Sequence, residues 1–353
     1  MIAETRFGQG PPPLTLGVEE ELTVLDAETL EQVGQGPALV AALEGRRDLP
    51  GRAKTELHAS VFELNTDPCA TGAEVLASLS TMRRAAADTA AGLGLALAAT
   101  GAHPTSSPES QPIVQEERYL TMVAHHGPSA RRQNVQGLHV HVAVPSAEDC
   151  WRLLEGLLPW LPVVLALSAN SPWFDGELTG MASNRAPVLV ELPRTGAPPA
   201  FGSYAAWEAW VERMVRLGII ADYTRIWWDI RPHPALGTLE IRMPDQPTDV
   251  QRSAAFAEVL QKLSNELLRI GEVREADRAD YEYNRWAAAR FGPAARLIAP
   301  DGERVATASE LGRELLDLVG VDAIDPAHCE GELQSRFDDP RAAAADLVER
   351  SLA

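Results

Sequence analysis

A chain of 353 residues that is 45% hydrophobic can bury a sizeable core, as one large domain or two ordinary ones. Its formal net charge of −19 makes nucleic acid and anionic membranes poor partners. Cys69, Cys150 and Cys329 lie far apart with no zinc-type or CxxC spacing, so free thiols in a reducing cytoplasm are expected.

The opening MIAETRFGQGPPP has no basic region followed by an apolar core, which gives no sign of a signal peptide, and its proline-rich end reads as a mobile arm over residues 1–13. A strand follows over residues 14–25 and another over 61–65. The Ala/Leu-rich stretch 73–98 has few breakers and predicts a helix, and HPTSSP at 103–108 predicts a loop. A third strand is expected over 138–144. Ser146, with Asp149 three residues on, is a capping-box-like start for a helix running toward Leu167, which Pro159 and Pro162 would kink or split. The apolar run 157–169 is too short to span a bilayer. LPRTGAPPAFG reads as a loop, residues 238–243 as a strand, and Thr248 as the start of a helix with Ala255, Val259, Leu260, Leu263 and Leu267 at helical spacing. Helices over 308–318 and 341–352 complete the set. No βαβ rhythm runs through the chain, which favours α+β over a doubly wound sheet.

Alternate side chains of a strand point to opposite faces. In GVEEEL this puts Glu19 and Glu21 together, with Val18, Glu20 and Leu22 opposite. In VFELN it joins Glu63 to Asn65, in LHVHV it joins His139 to His141, and in TLEIRM it joins Glu240 to Arg242. Each strand thus has an apolar face for a core and a face of acids, imidazoles or arginine that carries no lysine. Such alternation is also normal on a solvated sheet. If the strands line one cavity, the carboxylates would cost several kcal/mol per unpaired ion unless cations bridge them. Carboxylate oxygens suit Mg²⁺ or Mn²⁺, and Arg242 suits a phosphate. The HxH pair also allows a transition-metal site. Neither a GxxxxGK[ST] loop nor a strand-borne GxGxxG is present, so any ATP would be held through metals and arginines.

Several blocks carry a family resemblance: GVEEEL, ELNTDPC, AATGAHP, ERY, GLHVHV, LPVVLALSANSPWFDGELTGMASNR, LPRTGAPPAF, IWWDIRPHPALGTLEIRMPD and NRWAAARFG. Spread over roughly residues 14–320, they resemble the carboxylate–amine ligases of the type 2 glutamate–cysteine ligase family. The resemblance implies a glutamine-synthetase-like α+β fold, a curved antiparallel sheet forming a funnel with helices packed outside, here as one catalytic domain over 14–353. It implies Glu19, Glu21, Glu56, Glu63 and Glu240 as metal ligands, with His141 either on a metal or orienting phosphate. His139, Arg185, Arg231 and Arg242 are implied as substrate or phosphate binders, with Arg242 and Glu63 taking part in catalysis. Glu20 falls on the other face and is not expected to be a ligand.

The implied chemistry is ATP-dependent: Mg²⁺ (or Mn²⁺) and ATP activate a small carboxylate, glutamate by default, as an acyl phosphate that an amine then attacks. A cytoplasmic protein without nucleic-acid or membrane partners is expected, and a homodimer is compatible with the sequence. Two rivals stay open: a metal-dependent hydrolase built on HxH and the carboxylates, and a non-catalytic binding protein on the same fold.

Overall fold

Strand alternation decides where the main sheet buries its weight. The computed structural model of the chain describes residues 5–271 and 273–352. Seven strands form one antiparallel sheet: β1 (Leu16–Asp26), β2 (Gly51–Thr55), β3 (Val61–Thr66), β4 (Leu95–Ala98), β5 (Leu138–Ala143), β6 (Ile230–His233) and β7 (Thr238–Ile241). Their order is β6–β7–β5–β1–β3–β2, and β4 pairs with the C-terminal end of β1. The long first strand is therefore the hub: Leu16–Glu20 pair with β5, Glu19–Thr23 with β3, and Thr23–Asp26 with β4.

The apolar face is covered by helices. Val18, Val140, Val142, Leu239 and Ile241 share a core with Phe256, Leu260 and Leu263 of helix Val250–Ile270 and with Leu153 and Leu154 of helix Ala147–Leu157. Leu22, Phe62 and Leu64 meet Met82 and Ala86 of helix Gly72–Gly92. The larger of these two apolar clusters holds residues from Leu16 to Ile324, and the smaller one lies under the other end of the sheet between β1, β3, β4 and helix Gly72–Gly92.

Several expectations need correction. The helix expected over 73–98 stops at Gly92; Gly94 takes φ +72°, a conformation glycine adopts freely, and the chain reverses into β4. The two prolines do split the apolar segment, into helix Ala147–Leu157, a 3₁₀ turn Leu158–Trp160 and helix Leu161–Ser168. By length and composition this 22-residue stretch could cross a membrane, but 83% of its most apolar window is buried inside the fold. Helix Val250–Ile270 is capped by Asp249, while Thr248 turns its hydroxyl to the Ala99 carbonyl, 2.8 Å away. The arm is hydrogen-bonded where it is described: Arg6 N–H donates to Pro234 (2.9 Å) and Gly8 N–H to Val144 (3.3 Å), with Phe7 edge-on to Tyr204. Residues 1–4 of that arm lie outside the described residues.

A charged knot lies on the helical side of the sheet. Glu20, fully buried among apolar neighbours, accepts two bonds from Arg83 (2.7 and 2.6 Å) and one from Gln246 (3.0 Å). Arg83 also donates to the carbonyls of Thr248 and Pro247, at 2.6 and 3.1 Å. The guanidinium fork thereby ties β1 and helix Gly72–Gly92 to the turn that launches helix Val250–Ile270. Removing one partner of a buried pair strands the other charge, at a cost of about 3–5 kcal/mol. Glu20→Gln and Arg83→Met should each lower the unfolding free energy from denaturant titration by that amount, while turnover well below the unfolding transition stays close to wild type. Unchanged stability with lost turnover would move Glu20 into the chemistry.

Candidate active site

Cross-strand register converts the alternation into rows on the polar face. Arg231 stands opposite Glu240, and Glu240 opposite His141. His139 stands opposite Glu19, and Glu19 opposite Asn65. Glu21 stands opposite Glu63, and Glu63 opposite Lys54. Directly opposed residues share a face of the sheet. The rows line a cleft of about 370 Å³ that also receives Glu56, Arg185, His233, Arg242 and Trp227.

Three groups of side chains converge closely enough to share an ion: Glu19 with Glu63 and His139, Glu19 with His141 and Glu240, and Glu21 with Glu56 and Glu63. In each, one donor atom per residue lies within 4.8 Å of the others. His139 sets Nδ1 3.3 Å from Glu19 and Nε2 3.8 Å from Glu21. His141 fixes its ring by Nδ1 at 2.9 Å from the Thr238 hydroxyl, leaving a buried Nε2 with no hydrogen-bond partner, 3.6 Å from Glu19. An orphaned imidazole nitrogen beside two carboxylates could hold a metal ion, and the hydrogen bond on the other nitrogen sets its direction. The donor set is mostly carboxylate oxygen, which suits a hard cation such as Mg²⁺ or Mn²⁺.

Electrostatics divides the acids into two kinds. Burial pushes Glu63 up to about 7, with the charge of Glu19 adding to it and Lys54 opposing. Burial and then Glu63 and Glu21 push Glu56 well above the usual carboxylate range. Burial works the same way on Glu19 and Glu240 but is outweighed. The hydrogen bonds and charges of His139 and His141 hold Glu19 well below its ordinary value, and Arg231 and Arg242 do so for Glu240. His139 is lowered, by burial and then by Arg242; His141 is raised because Glu19 overcomes its burial. The Glu21–Glu56–Glu63 corner is thus the part of the cleft most short of positive charge.

The arginines expected to bind substrate behave differently from one another. Arg231 is fully engaged as a brace: Nε and Nη2 bond Glu240 (2.9 and 2.6 Å), and Nη1 bonds the carbonyls of Thr224 and Ile226. Arg185 is buried and donates to the backbone carbonyls of Met243 (3.1 Å) and Arg242 (2.9 Å). It passes so close to Gly137 that a Cβ there would lie 2.1 Å from its Nη2, which accounts for the glycine of GLHVHV. Both therefore hold the end of β7 in place. Arg242, just beyond β7, bonds Glu240 through Nη1, while its Nε and Nη2 have no hydrogen-bond partner among the described residues. Its backbone N–H is fixed by the Asp229 carbonyl at 2.8 Å.

The sequence reading missed Lys54, whose ammonium lies 3.2 Å from Glu63 and 3.9 Å from Glu19. It comes from β2, an edge strand not expected from the sequence, although Lys54 and Glu56 stand two apart in KTE, the same spacing used elsewhere. Asp229 was missed as well. It lines the cleft while gripping Arg285 (2.8 Å) and the Tyr281 hydroxyl (2.9 Å) of helix Arg278–Phe291. All three cysteines are free, as expected, and all three are buried.

Comparison with known proteins agrees with this geometry. Residues 15–349 match the family model described as glutamate–cysteine ligase family 2 (GCS2). A Rubrobacter xylanophilus protein named "Putative glutamate--cysteine ligase 2-3" is 40% identical over 350 residues, 99% of this chain and 94% of the relative. A Herpetosiphon aurantiacus protein named "Putative glutamate--cysteine ligase 2" is 34% identical over 317 residues, covering 89% of this chain and 82% of its own length. Among solved structures, the glutamate–cysteine ligase of Francisella tularensis in complex with AMP superposes with a TM-score of 0.63 at 13% identity, covering 96% of this chain and 93% of that one. The bifunctional glutathione synthetase of Pasteurella multocida gives 0.63 at 17%, covering 96% and 50%. At such low identity these two superpositions establish a shared α+β fold. The chain belongs to glutamate–cysteine ligase family 2, a family of ATP-dependent carboxylate–amine ligases.

Proposed function

We propose that this protein joins the carboxylate of glutamate to the amine of a second amino acid through an acyl phosphate, with cysteine, which the names of its relatives point to, as the first acceptor to test. The observation that carries the reading is the convergence of Glu19, Glu21, Glu63, Glu240, His141 and Arg242 in one cleft from separate strands. Glu19, Glu21, Glu56, Glu63 and Glu240, with His141, would hold the Mg²⁺ ions that neutralise charge on the phosphates of ATP.

The chain's own groups have separable tasks. Arg242 keeps its charge, since Glu240 and Glu21 overcome its burial, and its unpartnered donors are free to bond a phosphoryl oxygen in transit. Glu240 aims that guanidinium, and Arg231 and Arg185 hold Glu240 and the Arg242 backbone still. Lys54 covers the acid corner on the β2 side. His139 stands between Glu19 and Glu21, with one ring nitrogen toward each, and would keep the two ligand carboxylates apart. The carboxylate substrate attacks the γ-phosphorus, ADP leaves, and the amine then displaces phosphate from the acyl group.

Glu19→Gln and Glu21→Gln should each raise the Mg²⁺ concentration needed for half-maximal activity by at least about tenfold, the scale for loss of a well-supported ligand or its supporting group. Their melting temperature in EDTA should not fall. An unchanged Mg²⁺ requirement in both would remove them from the metal site.

The two arginines of the late strands separate chemistry from support. Arg242→Ala should lower kcat and kcat/KM together by about 10²–10³, as for loss of a preorganised donor to the transition state, with ATP affinity by calorimetry little changed. Arg231→Ala should first appear as lost stability, because it leaves Glu240 buried without its brace. A raised KM with normal kcat in Arg242→Ala would reduce it to simple binding.

Turnover with ¹⁸O-labelled glutamate carboxylate should place one label in the released inorganic phosphate, with ADP as co-product. Mass spectrometry of phosphate and nucleotide decides this. Label in AMP would establish adenylation instead, and unlabelled phosphate would mean hydrolysis of ATP by water.

A further inference from the structure

The three groups of cleft side chains able to share an ion are not equally open. Glu63 belongs to two of them, one with Glu21 and Glu56 and one with Glu19 and His139. Its two oxygens are not equivalent. Oε1 accepts from the Lys54 ammonium at 3.2 Å and from the Asn65 amide at 2.7 Å, while Oε2 accepts no hydrogen bond among the described residues. Glu19 is divided in a similar way: Oε2 lies 3.3 Å from His139 Nδ1, and Oε1 lies 3.9 Å from Lys54. Lys54 therefore stands against both acids of the Glu19–Glu63–His139 group. The other two groups keep free donor atoms, Oε2 of Glu63 in one and the unpartnered Nε2 of His141 in the other.

Backbone register and residue type both support that placement. Lys54 of β2 is directly opposite Glu63 of β3, so its stem starts beside the carboxylate it meets. Mg²⁺ binds oxygen at about 2.0–2.1 Å, so an ion held by both Glu19 and Glu63 would crowd into the space of the ammonium, where low polarity strengthens the repulsion between them. Of the 31 lysines and arginines in the chain, two are lysines, Lys54 and Lys262. The cleft thus uses arginine forks as braces and, at this one point among the described residues, the compact point charge that most resembles a metal ion. We propose that Lys54 is a built-in cation: its ammonium fills the Glu19–Glu63–His139 group, and the loaded cleft takes two divalent ions where its side chains could otherwise hold three. The two ions belong to Glu21–Glu56–Glu63 and to Glu19–His141–Glu240. The assignment rests on the metal-dependent reading of the cleft given above. Lys54 acts in it as a positioning residue, holding Glu63 Oε1 and Glu19 Oε1 so that the remaining donors face the two ions.

Counting bound ions tests this without turnover. Crystals of the full chain grown with Mn²⁺ and β,γ-methylene-ATP should show two anomalous-scattering peaks in the wild-type cleft. Lys54→Met should show a third, between Glu19 and Glu63, and Lys54→Arg, which keeps the charge, should return to two. In solution Lys54→Met should melt below the wild type in EDTA and gain more than the wild type from added Mn²⁺, because the ion replaces the lost ammonium. A third ion between Glu19 and Glu63 in the wild type would overturn the proposal by itself, which keeps the test decisive should Lys54→Met fold poorly. A Lys54→Met cleft that still holds two ions would overturn it as well. No bound ion in any of the proteins would overturn both this assignment and the metal-dependent reading. The predicted counts together with an absence of ligase turnover would count against the proposed reaction and leave the role of Lys54 standing.

Discussion

Mutual repulsion among carboxylates on one sheet face is the constraint around which the molecule is organised. Glu19, Glu21, Glu56, Glu63 and Glu240 are brought into a single cleft, where the low polarity of the surroundings strengthens every charge interaction. The fold offsets part of this with its own cations. Glu240 receives two arginines and Glu19 two histidines, and both carboxyls lie below their ordinary range as a result. Among the described residues Glu63 has Lys54 as its ion-pair partner beside the Asn65 amide, and is still pushed up to about 7; Glu56 is pushed up without a partner of that strength. The unevenness has chemical content: the uncompensated corner is where an added cation has most to gain, and the compensated side is where an arginine can be aimed at a phosphate. A hydrolase reading would lean on the histidine pair, but His139 and His141, although both border Glu19, fall in separate ion-holding groups, one with Glu63 and the other with Glu240.

A charged face of this kind needs a rigid frame, and arginines supply much of it. Arg83 ties the hub strand to two helices through Glu20. Arg185 bonds backbone carbonyls just beyond β7, Arg231 ties Glu240 of β7 to the carbonyls of Thr224 and Ile226, and Arg285 connects a surface helix to Asp229. The planar guanidinium suits this role because it can satisfy a carboxylate and one or two carbonyls at once, keeps its charge when buried, and loses little freedom per bond formed. Replacement by lysine would preserve charge and lose the fork geometry. The same chemistry that would suit these residues to bind a substrate carboxylate suits them to brace the protein, so residue type alone does not separate the two roles.

What the sequence by itself determined rests on short-range geometry. A strand has a period of two, so GVEEEL assigns Glu19 and Glu21 to one face and Glu20 to the other whatever surrounds it, and the same holds for His139 with His141 and Glu240 with Arg242. Helix caps at Ser146 and the break at Pro159 and Pro162 are likewise local. The family blocks added the fold, because motifs in a fixed order over most of the chain specify a topology that alternation cannot. Tertiary structure decided the rest. Whether residues 95–98 continue a helix or form β4 depends on pairing with β1, and four residues carry too little pattern to say so. Lys54 entered the cleft because β2 pairs with β3, and Arg231 and Arg185 became braces because carbonyls from Thr224, Ile226, Arg242 and Met243 surround them. A side chain's face is set within a few residues, but its partners are set by contacts that can span over two hundred positions, as Glu20 with Gln246 does, and no local period encodes those.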